Sequence, residues 1–321
     1  VKSTTKRGSK DGIRPTATEG GTFFIQRQGK ALREMLFSDV ELSYVANNIS
    51  LVASHLIVDP KSMAVRPATD TTEGDLLMIV NGTSTTGYRA ASSGLGGTLA
   101  CFMLHKQQNI VAPSFVQTDG TFIDIGVDLD VIYAVVKRTV NSATKYYLEV
   151  FDDDFTTDSS VQKTSSFSGT SYNLVSHLNA KTAKVIRDDI VESDVTVNSS
   201  GTITTSAQPT SYIEAGLDFT VTVKTNPVEP NLPSGRVVTQ KKRILEVSPV
   251  MYRTQNLTIN GFEVPLFTLP YSGGGTVPTI TGIKKMHGFV GYSTDAQITI
   301  SQSKPVFFTV LSMDFKLAVG S

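Results

Sequence analysis

The sequence has few of the residues from which recognisable chemical sites are built. It contains a single cysteine, Cys101, so no internal disulfide can form. Because this cysteine lies in an apolar run, we expect a buried, inert thiol rather than a reactive one. The four histidines, at positions 55, 105, 177 and 287, are widely separated and have no Cys or second His nearby. Each is therefore expected to be structural rather than a metal ligand.

Catalytic motifs are also missing. The sequence has no glycine-rich phosphate loop between a strand and a helix, and no G-x-S-x-G nucleophile turn. Its acidic groupings are Asp124, Asp128, Asp130 and the run Asp152–Asp154. We interpret them as turn residues, because Asp is common in turns for backbone reasons, and a carboxylate cation site is the alternative. The sequence thus predicts no catalytic residue, no cofactor and no metal, and a protein that is not an enzyme.

Neither net charge nor a long apolar run directs the chain to a particular partner. Lys plus Arg and Asp plus Glu both number 29, so no overall charge attracts nucleic acid or an anionic membrane. No apolar run reaches the roughly 18 residues that cross a bilayer, and we expect no stable membrane insertion.

Two basic clusters stand out locally, Lys241-Lys242-Arg243 and Lys284-Lys285. A solvated face is the first interpretation, and contact with DNA phosphates or with a neighbouring subunit is the alternative. If the first cluster lies on a strand, Lys241 and Arg243 share one face because side chains alternate.

Short apolar segments broken by turn residues run through the chain at spacings near ten residues, which predicts an all-β fold. A short helix is predicted at Ile49–Leu56, whereas Ala31–Phe37 fits a helix or a strand equally well. The predicted strands include Thr22–Gln26, Leu76–Val80, Thr98–Leu104, Ile110–Val116, Thr121–Val127, Val131–Arg138 and Lys145–Phe151.

These segments predict a basic polar arm at 1–21 and a propeller-like β domain at 22–155. A Ser/Thr/Gly-rich linker or loop follows at 156–172, and a second β-rich module, a sandwich or a barrel-like unit, occupies 173–321. The chain begins with Val and a polar stretch. We therefore expect that an N-terminal part is missing, and that the set of propeller blades is incomplete.

Several segments resemble a bacteriophage family, the podovirus tail nozzle proteins (tail tubular protein B) and the related packaged-DNA stabilisation proteins. Short motifs carry the likeness: Ser54-His55-Leu56, Gly97-Thr98-Leu99, Arg138 and Tyr147-Leu148-Glu149. The longer segments that carry it are Ala31–Ile57, Gly97–Asp154, His177–Ala183 and Ala296–Leu317. The likeness covers about two thirds of the chain, and the sequence departs from the family in having no Trp.

The resemblance implies a virion structural protein of the tail or neck, assembled in the host cytoplasm. It implies a homo-oligomer, a six-membered ring below the portal and adaptor. Such a ring continues the channel for double-stranded DNA, retains the packaged DNA and conducts it during ejection. We expect the loops at 81–97 and 155–172 to contact neighbouring subunits or the channel.

The alternative function is a receptor- or carbohydrate-binding β protein of the phage tail. Such a protein needs an exposed aromatic platform beside Asp or Asn. Tyr146-Tyr147 and Tyr271-Ser272 are the candidates in the sequence.

Overall fold

The structure is a computed structural model, and it describes residues 8–18, 21–70, 73–84, 94–232, 235–236, 239–266, 278–289 and 291–320. The described residues form an all-β fold of several antiparallel sheets, which confirms the predicted fold class. Helical structure in these ranges is limited to short 3₁₀ turns at Ser54–Leu56, Lys106–Gln108 and Ser176–Leu178. None of the described helices is long or apolar enough to cross a membrane. The chain divides into two compact units, Val1–Asp153 and Asp154–Ser321.

The first unit contains three antiparallel sheets whose strands follow one another in chain order. The first sheet is formed by β1 (Thr16–Thr18), β2 (Gly21–Ile25), β3 (Leu32–Ser38) and β4 (Ser43–Asn48). The second is formed by β5 (Pro60–Arg66), β6 (Asp75–Asn81), β7 (Leu99–His105) and β8 (Ile110–Val116). The third is formed by β9 (Thr121–Asp128), β10 (Val131–Val140) and β11 (Ala143–Val150).

The two central strands of the second sheet, β6 and β7, are buried on both faces along most of their length, which explains their apolar runs at 76–80 and 99–104. Leu77, Ile79 and Phe102 pack with residues of the first sheet in one core. Met78 and Cys101 point the other way, into a core shared with the third sheet. The three sheets therefore stack with the second in the middle, and an uninterrupted apolar strand is the pattern that two-sided burial requires. Four-stranded antiparallel sheets in chain order are typical of propeller blades.

The segment Ile49–Leu56 is not the predicted helix. It forms turns and ends in the 3₁₀ turn at Ser54–Leu56. The Ser50 hydroxyl accepts a hydrogen bond from the Leu32 amide (2.9 Å) and donates one to Asn48 Oδ1 (3.2 Å). Such side-chain bonds to nearby groups compete with helix formation, and here they fix a turn instead. The segment Ala31–Phe37, which fitted a helix or a strand equally well, lies largely in strand β3.

The described part of the predicted N-terminal arm belongs to the first unit. Residues 1–7 lie outside the described ranges. Ile13 is buried in the core beside the first sheet, and Ser9 forms a bridge to Gln26. The Lys10 amide donates to the carbonyl of Ile25 (2.8 Å). Residues 8–18 thus pack on their own unit rather than forming a separate arm.

The second unit contains seventeen strands in the described ranges. They are β12 (Asp158–Lys163), β13 (Ser171–Asn173), β14 (Thr182–Arg187), β15 (Ile190–Val191), β16 (Val195–Thr196), β17 (Thr202–Thr204), β18 (Ile213–Leu217), β19 (Val221–Lys224), β20 (Asn231–Leu232), β21 (Gly235–Arg236), β22 (Lys242–Thr254), β23 (Thr258–Ile259), β24 (Phe262–Glu263), β25 (Ile280–Ile283), β26 (Met286–His287), β27 (Thr299–Gln302) and β28 (Val310–Val319). All their pairings are antiparallel.

Two buried clusters organise this unit. One gathers side chains from β13, β14, β17 and β18, including Val185 and Ile213. The other surrounds the long strand β22, which pairs with β28 on one side and with β25 and β26 on the other. Part of the stretch 156–172, which was predicted to be a linker or loop, is strand β12, which pairs with β18 of the second unit. A stretch rich in Ser and Thr can still form a strand where an apolar neighbour covers one face.

A two-residue turn, Asp188-Asp189, joins β14 to β15, and both residues have positive φ (48° and 64°). The Asp188 carboxylate accepts hydrogen bonds from the amides of Thr210 (2.8 Å), Ser211 (2.7 Å) and Tyr212 (3.0 Å). Partial burial acts to raise the pKa of Asp188, but these hydrogen bonds outweigh it and the pKa is lowered. The carboxylate thus ties two loops of the unit together in its ionised form.

Replacing Asp188 with Asn should reduce stability at neutral pH by about 2 kcal/mol, because hydrogen bonds to a charged acceptor are lost. A lowered native pKa means that this stabilisation is present above the unfolded pKa of about 3.9 and disappears as the pH falls through the native value. Urea unfolding of both proteins between neutral and acidic pH should therefore converge at low pH. The exposed Asp153→Asn is the control, and a constant difference at every pH would contradict the assignment.

Candidate functional site

Lys242, which was predicted to contact DNA or a neighbouring subunit, is buried in the structure. Its side chain is 1% exposed, and its Nζ donates a hydrogen bond to the carbonyl of Val228 (2.9 Å). Lys241 is exposed, and Arg243 is half-buried with its Nε donating to the carbonyl of Phe289 (3.2 Å). Alternation places Lys242 on the face that packs inward, where a long aliphatic stem can be buried once its ammonium group has an acceptor. The prediction for Lys242 was wrong.

The second basic cluster contributes Lys285 to a charged group around Glu246, which the sequence did not single out. Lys316 Nζ lies 3.2 Å and His287 Nδ1 lies 3.6 Å from Glu246 Oε2, and Lys285 Nζ lies 3.9 Å from Oε1. Desolvation acts to raise the pKa of Glu246, but the hydrogen bond from Lys316 and the nearby positive charges lower it. Lys284 is half-buried, and its amide donates to Pro249.

Strand pairing brings this charged group together, and the sequence of one strand does not show which strands it will pair with. Glu246 on β22 lies opposite Lys316 on β28 and opposite His287 on β26. Since directly opposed residues in an antiparallel sheet lie on the same face, the three form one row across three strands. Lys285 is thus an ion-pair neighbour as well as a surface cation, and the prediction of a DNA or subunit contact at Lys284 and Lys285 stays a prediction.

Asp128 and Asp130 lie at a strand end and in a turn, as predicted, whereas Asp124 lies in the middle of β9, so the prediction of a turn position was wrong for Asp124. The Asp124 carboxylate accepts a hydrogen bond from the Ile125 amide (2.9 Å), and Asp128 and Asp130 flank the turn between β9 and β10. Within the described ranges, no group of three or more His, Cys, Asp or Glu side chains is placed to hold a metal ion.

Cys101 is buried in the core between the second and third sheets. Burial raises the pKa of this thiol to about 12, because the charged thiolate is disfavoured in an apolar environment. The predicted buried position is confirmed.

Native protein should therefore fail to react with Ellman's reagent at mildly alkaline pH, whereas protein unfolded in guanidinium chloride should release about one equivalent of thiolate product per chain. As a control, protein that is unfolded and then refolded without the reagent should again fail to react. Rapid reaction of the native thiol would contradict the burial.

The family-like motif residues Arg138 and Glu149 form an ion pair in which the guanidinium is buried and the carboxylate is half-buried. Arg138 Nε donates to Glu149 Oε1 (2.7 Å) and Nη2 donates to Oε2 (2.6 Å), a bidentate arrangement. Arg138 Nη1 also donates to the carbonyl of Asp119 (2.9 Å). This guanidinium thus links both hairpins of the third sheet, since Asp119 precedes β9.

Replacing Glu149 with Ala should cost about 3 kcal/mol, because a buried guanidinium loses its counter-charge. Thermal or urea unfolding measures the loss. Glu263→Ala is the matched control, because its pair with Lys304 is more than half exposed on both sides and should contribute less than about 1 kcal/mol. Equal effects of the two variants would show that Arg138 is not effectively buried.

The tripeptide Ser-His-Leu occurs twice, at Ser54–Leu56 and at Ser176–Leu178, and both copies form a 3₁₀ turn. Each buries its Leu and is followed four residues later by a strand, β5 in one unit and β14 in the other. His177 Nε2 lies 2.9 Å from the carbonyl of Ser159. A search for short repeated words would have found this local repeat, which indicates a structural role for the motif.

The outer faces of the sheet stack carry exposed apolar side chains. On the first sheet, Phe37 pairs with Tyr44 and their rings meet edge to face, 5.4 Å apart. On the third sheet, Tyr146 and Leu148 are 63% and 70% exposed, and the exposed Val150 lies beside them. These two surfaces are called the first-sheet face and the third-sheet face below.

Some of the residues that were predicted to contact a ligand or a neighbouring subunit lie outside the described ranges. Tyr271 and Ser272, and residues 85–93 of the predicted contact loop, lie outside the described ranges. Tyr147 is half-buried, so Tyr146 is the exposed member of the predicted aromatic pair.

The comparisons with known proteins give little. No family model and no curated protein matches the sequence. Among solved structures, the chain is similar to an exo-beta-1,3-galactanase from Phanerochaete chrysosporium, solved with galactose. The identity is 12%, the match covers 93% of this chain and 64% of that one, and the TM-score is 0.25. The chain thus spans less than two thirds of the length of this protein.

This comparison corrects one prediction. The absence of catalytic motifs led to the prediction that the chain is not an enzyme, yet the solved structure that it matches is that of an enzyme. Missing motifs are therefore no basis for that prediction, which is withdrawn. At a TM-score of 0.25 the match assigns no activity to this chain.

Proposed function

We propose that this chain is a structural subunit of a phage virion that assembles with further copies of itself into a ring of the tail or neck. The observation that carries the proposal is the exposed apolar surface at both ends of the sheet stack. The first-sheet face exposes Met35, Phe37 and Tyr44, and the third-sheet face exposes Tyr146 and Leu148. Contiguous exposed apolar surface marks protein interfaces, because water-exposed patches of this kind are disfavoured on monomers.

Free sheet edges support the same proposal. Among the strands that the structure describes, β8 pairs only with β7, and six of its seven residues are exposed, among them Ile110, Val111 and Phe115. In the same described part of the chain, β11 is the edge of the third sheet and pairs only with β10. Edge strands that carry no charge invite pairing or packing with another chain, and β8 contains no charged residue.

The resemblance to tail nozzle proteins gives the proposal its specific form. Its motif residues have structural places here, since Arg138 and Glu149 form an ion pair within the third sheet and Ser54–Leu56 forms a turn next to the first-unit core. A ring of six subunits that adjoins the portal and adaptor and conducts double-stranded DNA follows from the resemblance alone. DNA contacts are proposed for exposed cations such as Lys241 and Lys285, and the buried Lys242 is excluded.

The test is the assembly state of the purified full chain. Sedimentation velocity across a range of concentrations, followed by negative-stain electron microscopy, should give a closed ring with an axial channel. Interfaces between the subunits should bury more than about 1,000 Å² each. A monomer at every concentration, or a trimeric fibre, would contradict the proposal, and a fibre would favour the receptor-binding alternative.

A further inference from the structure

The sheet formed by β22, β26 and β28 has one face in a core and the other face turned outward. Val247 of β22 and Met286 of β26 are buried in that core, and Phe315 of β28 packs against them. Because side chains alternate along a strand, the residues next to these three point to the opposite side of the sheet. This outward side is called the β22 face below, and the strand register places its charged residues.

The row at Glu246 brings two lysines and a histidine to one carboxylate. Glu246 lies opposite His287 on β26 and opposite Lys316 on β28. Lys285 precedes the buried Met286 and therefore shares the outward side with His287. Lys285 and Lys316 approach different oxygens of the Glu246 carboxylate, at 3.9 and 3.2 Å, and their side chains remain 64% and 67% exposed. One carboxylate thus positions two lysine side chains whose ammonium groups still reach solvent.

The first basic cluster of the sequence extends the same face. Lys242 is buried on the inward side of β22, so its neighbours Lys241 and Arg243 point outward. Lys241 is exposed, and Arg243 is half-buried. A bulge between Ile244 and Glu246 separates this pair from the row at Glu246, and Ile244 is again in the core. Strand pairing therefore unites two clusters that are far apart in sequence.

Two acids lie on the β22 face, and they do not cancel its cations. One is Glu246, and the other is Asp314, which lies opposite Ser248 on the same side as Lys316. Four cations that are charged at neutral pH share the face with these two carboxylates: Lys241, Arg243, Lys285 and Lys316. Among the residues that the register places there, positive charge is in excess, and protonation of His287 adds to it.

Lysine predominates on this face, and lysine suits phosphate groups better than it suits a protein surface. Three of the four cations are lysines. Lys is depleted in protein interfaces, where clustered aromatic residues and Arg supply most of the binding energy. The residues between the charges are instead Ser248, Ala318 and the bulged Leu245. Lys, Arg and Ser are side chains that contact the phosphates of nucleic acids.

The β22 face offers no platform for unpaired bases. Proteins that bind single strands stack successive bases on several aromatic side chains. Beside the described rows from Lys241 to Ser248, an exposed aromatic ring is that of Tyr292, which lies next to Gly320 at one end of the face. One ring cannot stack a series of bases, whereas a duplex, whose bases are already stacked, needs none.

We propose that the β22 face binds the sugar–phosphate backbone of double-stranded DNA through its four cations, without reading the base sequence. Glu246 acts as a positioning residue, because it holds Lys285 and Lys316 on either side of its carboxylate. The inference rests on the proposed function, in which exposed cations contact DNA, and it names the surface that makes the contact. Contacts to phosphates carry no sequence information, so the binding is independent of sequence.

The experiment measures binding of a labelled DNA duplex of random sequence to the full chain by fluorescence anisotropy. In about 50 mM salt, Lys285→Gln with Lys316→Gln should weaken binding about tenfold. Between about 50 and 200 mM salt, the plot of log affinity against log salt should become shallower by about 0.9 for each cation removed, because fewer counterions are released. Asp314→Asn should strengthen binding about twofold to threefold, since it removes an opposing carboxylate.

Matched variants test whether these effects are local to the β22 face. Arg27→Gln with Lys224→Gln removes two exposed cations elsewhere, and Asp153→Asn removes an exposed acid elsewhere. Both should bind within about twofold of the wild type, because salt screens distant charges. Circular dichroism melting checks folding, and Lys285→Gln alone replaces the double variant if that variant fails to fold.

Each outcome decides for or against this face. Weaker binding by the lysine variant together with tighter binding by Asp314→Asn supports it. A wild-type chain that does not bind the duplex, or an equal loss in the control variant, overturns it. Displacement of the duplex by polyglutamate as readily as by unlabelled DNA also overturns it and indicates an acidic polypeptide as the partner. Ring assembly is measured without DNA, so a monomeric chain that binds DNA through this face overturns the ring and supports the face.

Discussion

The two-sided burial of the central strands β6 and β7 is the constraint on which the rest of the first unit depends. These strands present alternate residues to two separate cores, so most of their apolar side chains are buried whichever way they point. Burying a large apolar side chain contributes about 1.5–3 kcal/mol, and a strand buried on both faces gains this on each of them. The first and third sheets must then cover it with their own apolar faces, which sets their order in the stack.

Buried polar groups limit how the apolar sheets can be arranged. Glu34 lies on the inward face of the first sheet, and Lys106 approaches its Oε1 to 2.5 Å while lying over the ring of Phe23. Arg138 is satisfied by Glu149 and a carbonyl in the third sheet. A buried charge without a partner is costly, so each of these pairs favours one register of its sheet over its alternatives. Apolar packing supplies the stability, and the polar pairs specify the arrangement.

The exposed surfaces reflect the same organisation. In the described part of the first unit, the outward faces of the first and third sheets are covered by no further sheet, so apolar side chains such as Phe37 and Leu148 stay exposed there. In the second unit, by contrast, Glu246 gathers Lys285, His287 and Lys316 into one row across β22, β26 and β28. One carboxylate there serves two lysines, so the row keeps an excess of positive charge.

Local patterns in the sequence determined most of the elements. Period-two alternation, apolar runs and turn residues predicted the strands from β6 to β11 with bounds close to those observed, because these signals act over a few residues. The sequence also placed Cys101 in the core, since an apolar run has to be buried. Two stretches escaped this logic: Ile49–Leu56, where the Ser50 hydroxyl holds a turn, and 156–172, where β12 needs β18 to form.

Only the tertiary structure decided which side of each strand is buried and which charges meet. Alternation put Lys241 and Arg243 on one face, but whether that face or the one with Lys242 turns inward depends on packing of distant residues. In the row around Glu246, Lys316 comes from a strand 70 residues further along the chain. No local pattern encodes such contacts, because strand pairing and burial are properties of the whole sheet rather than of its separate segments.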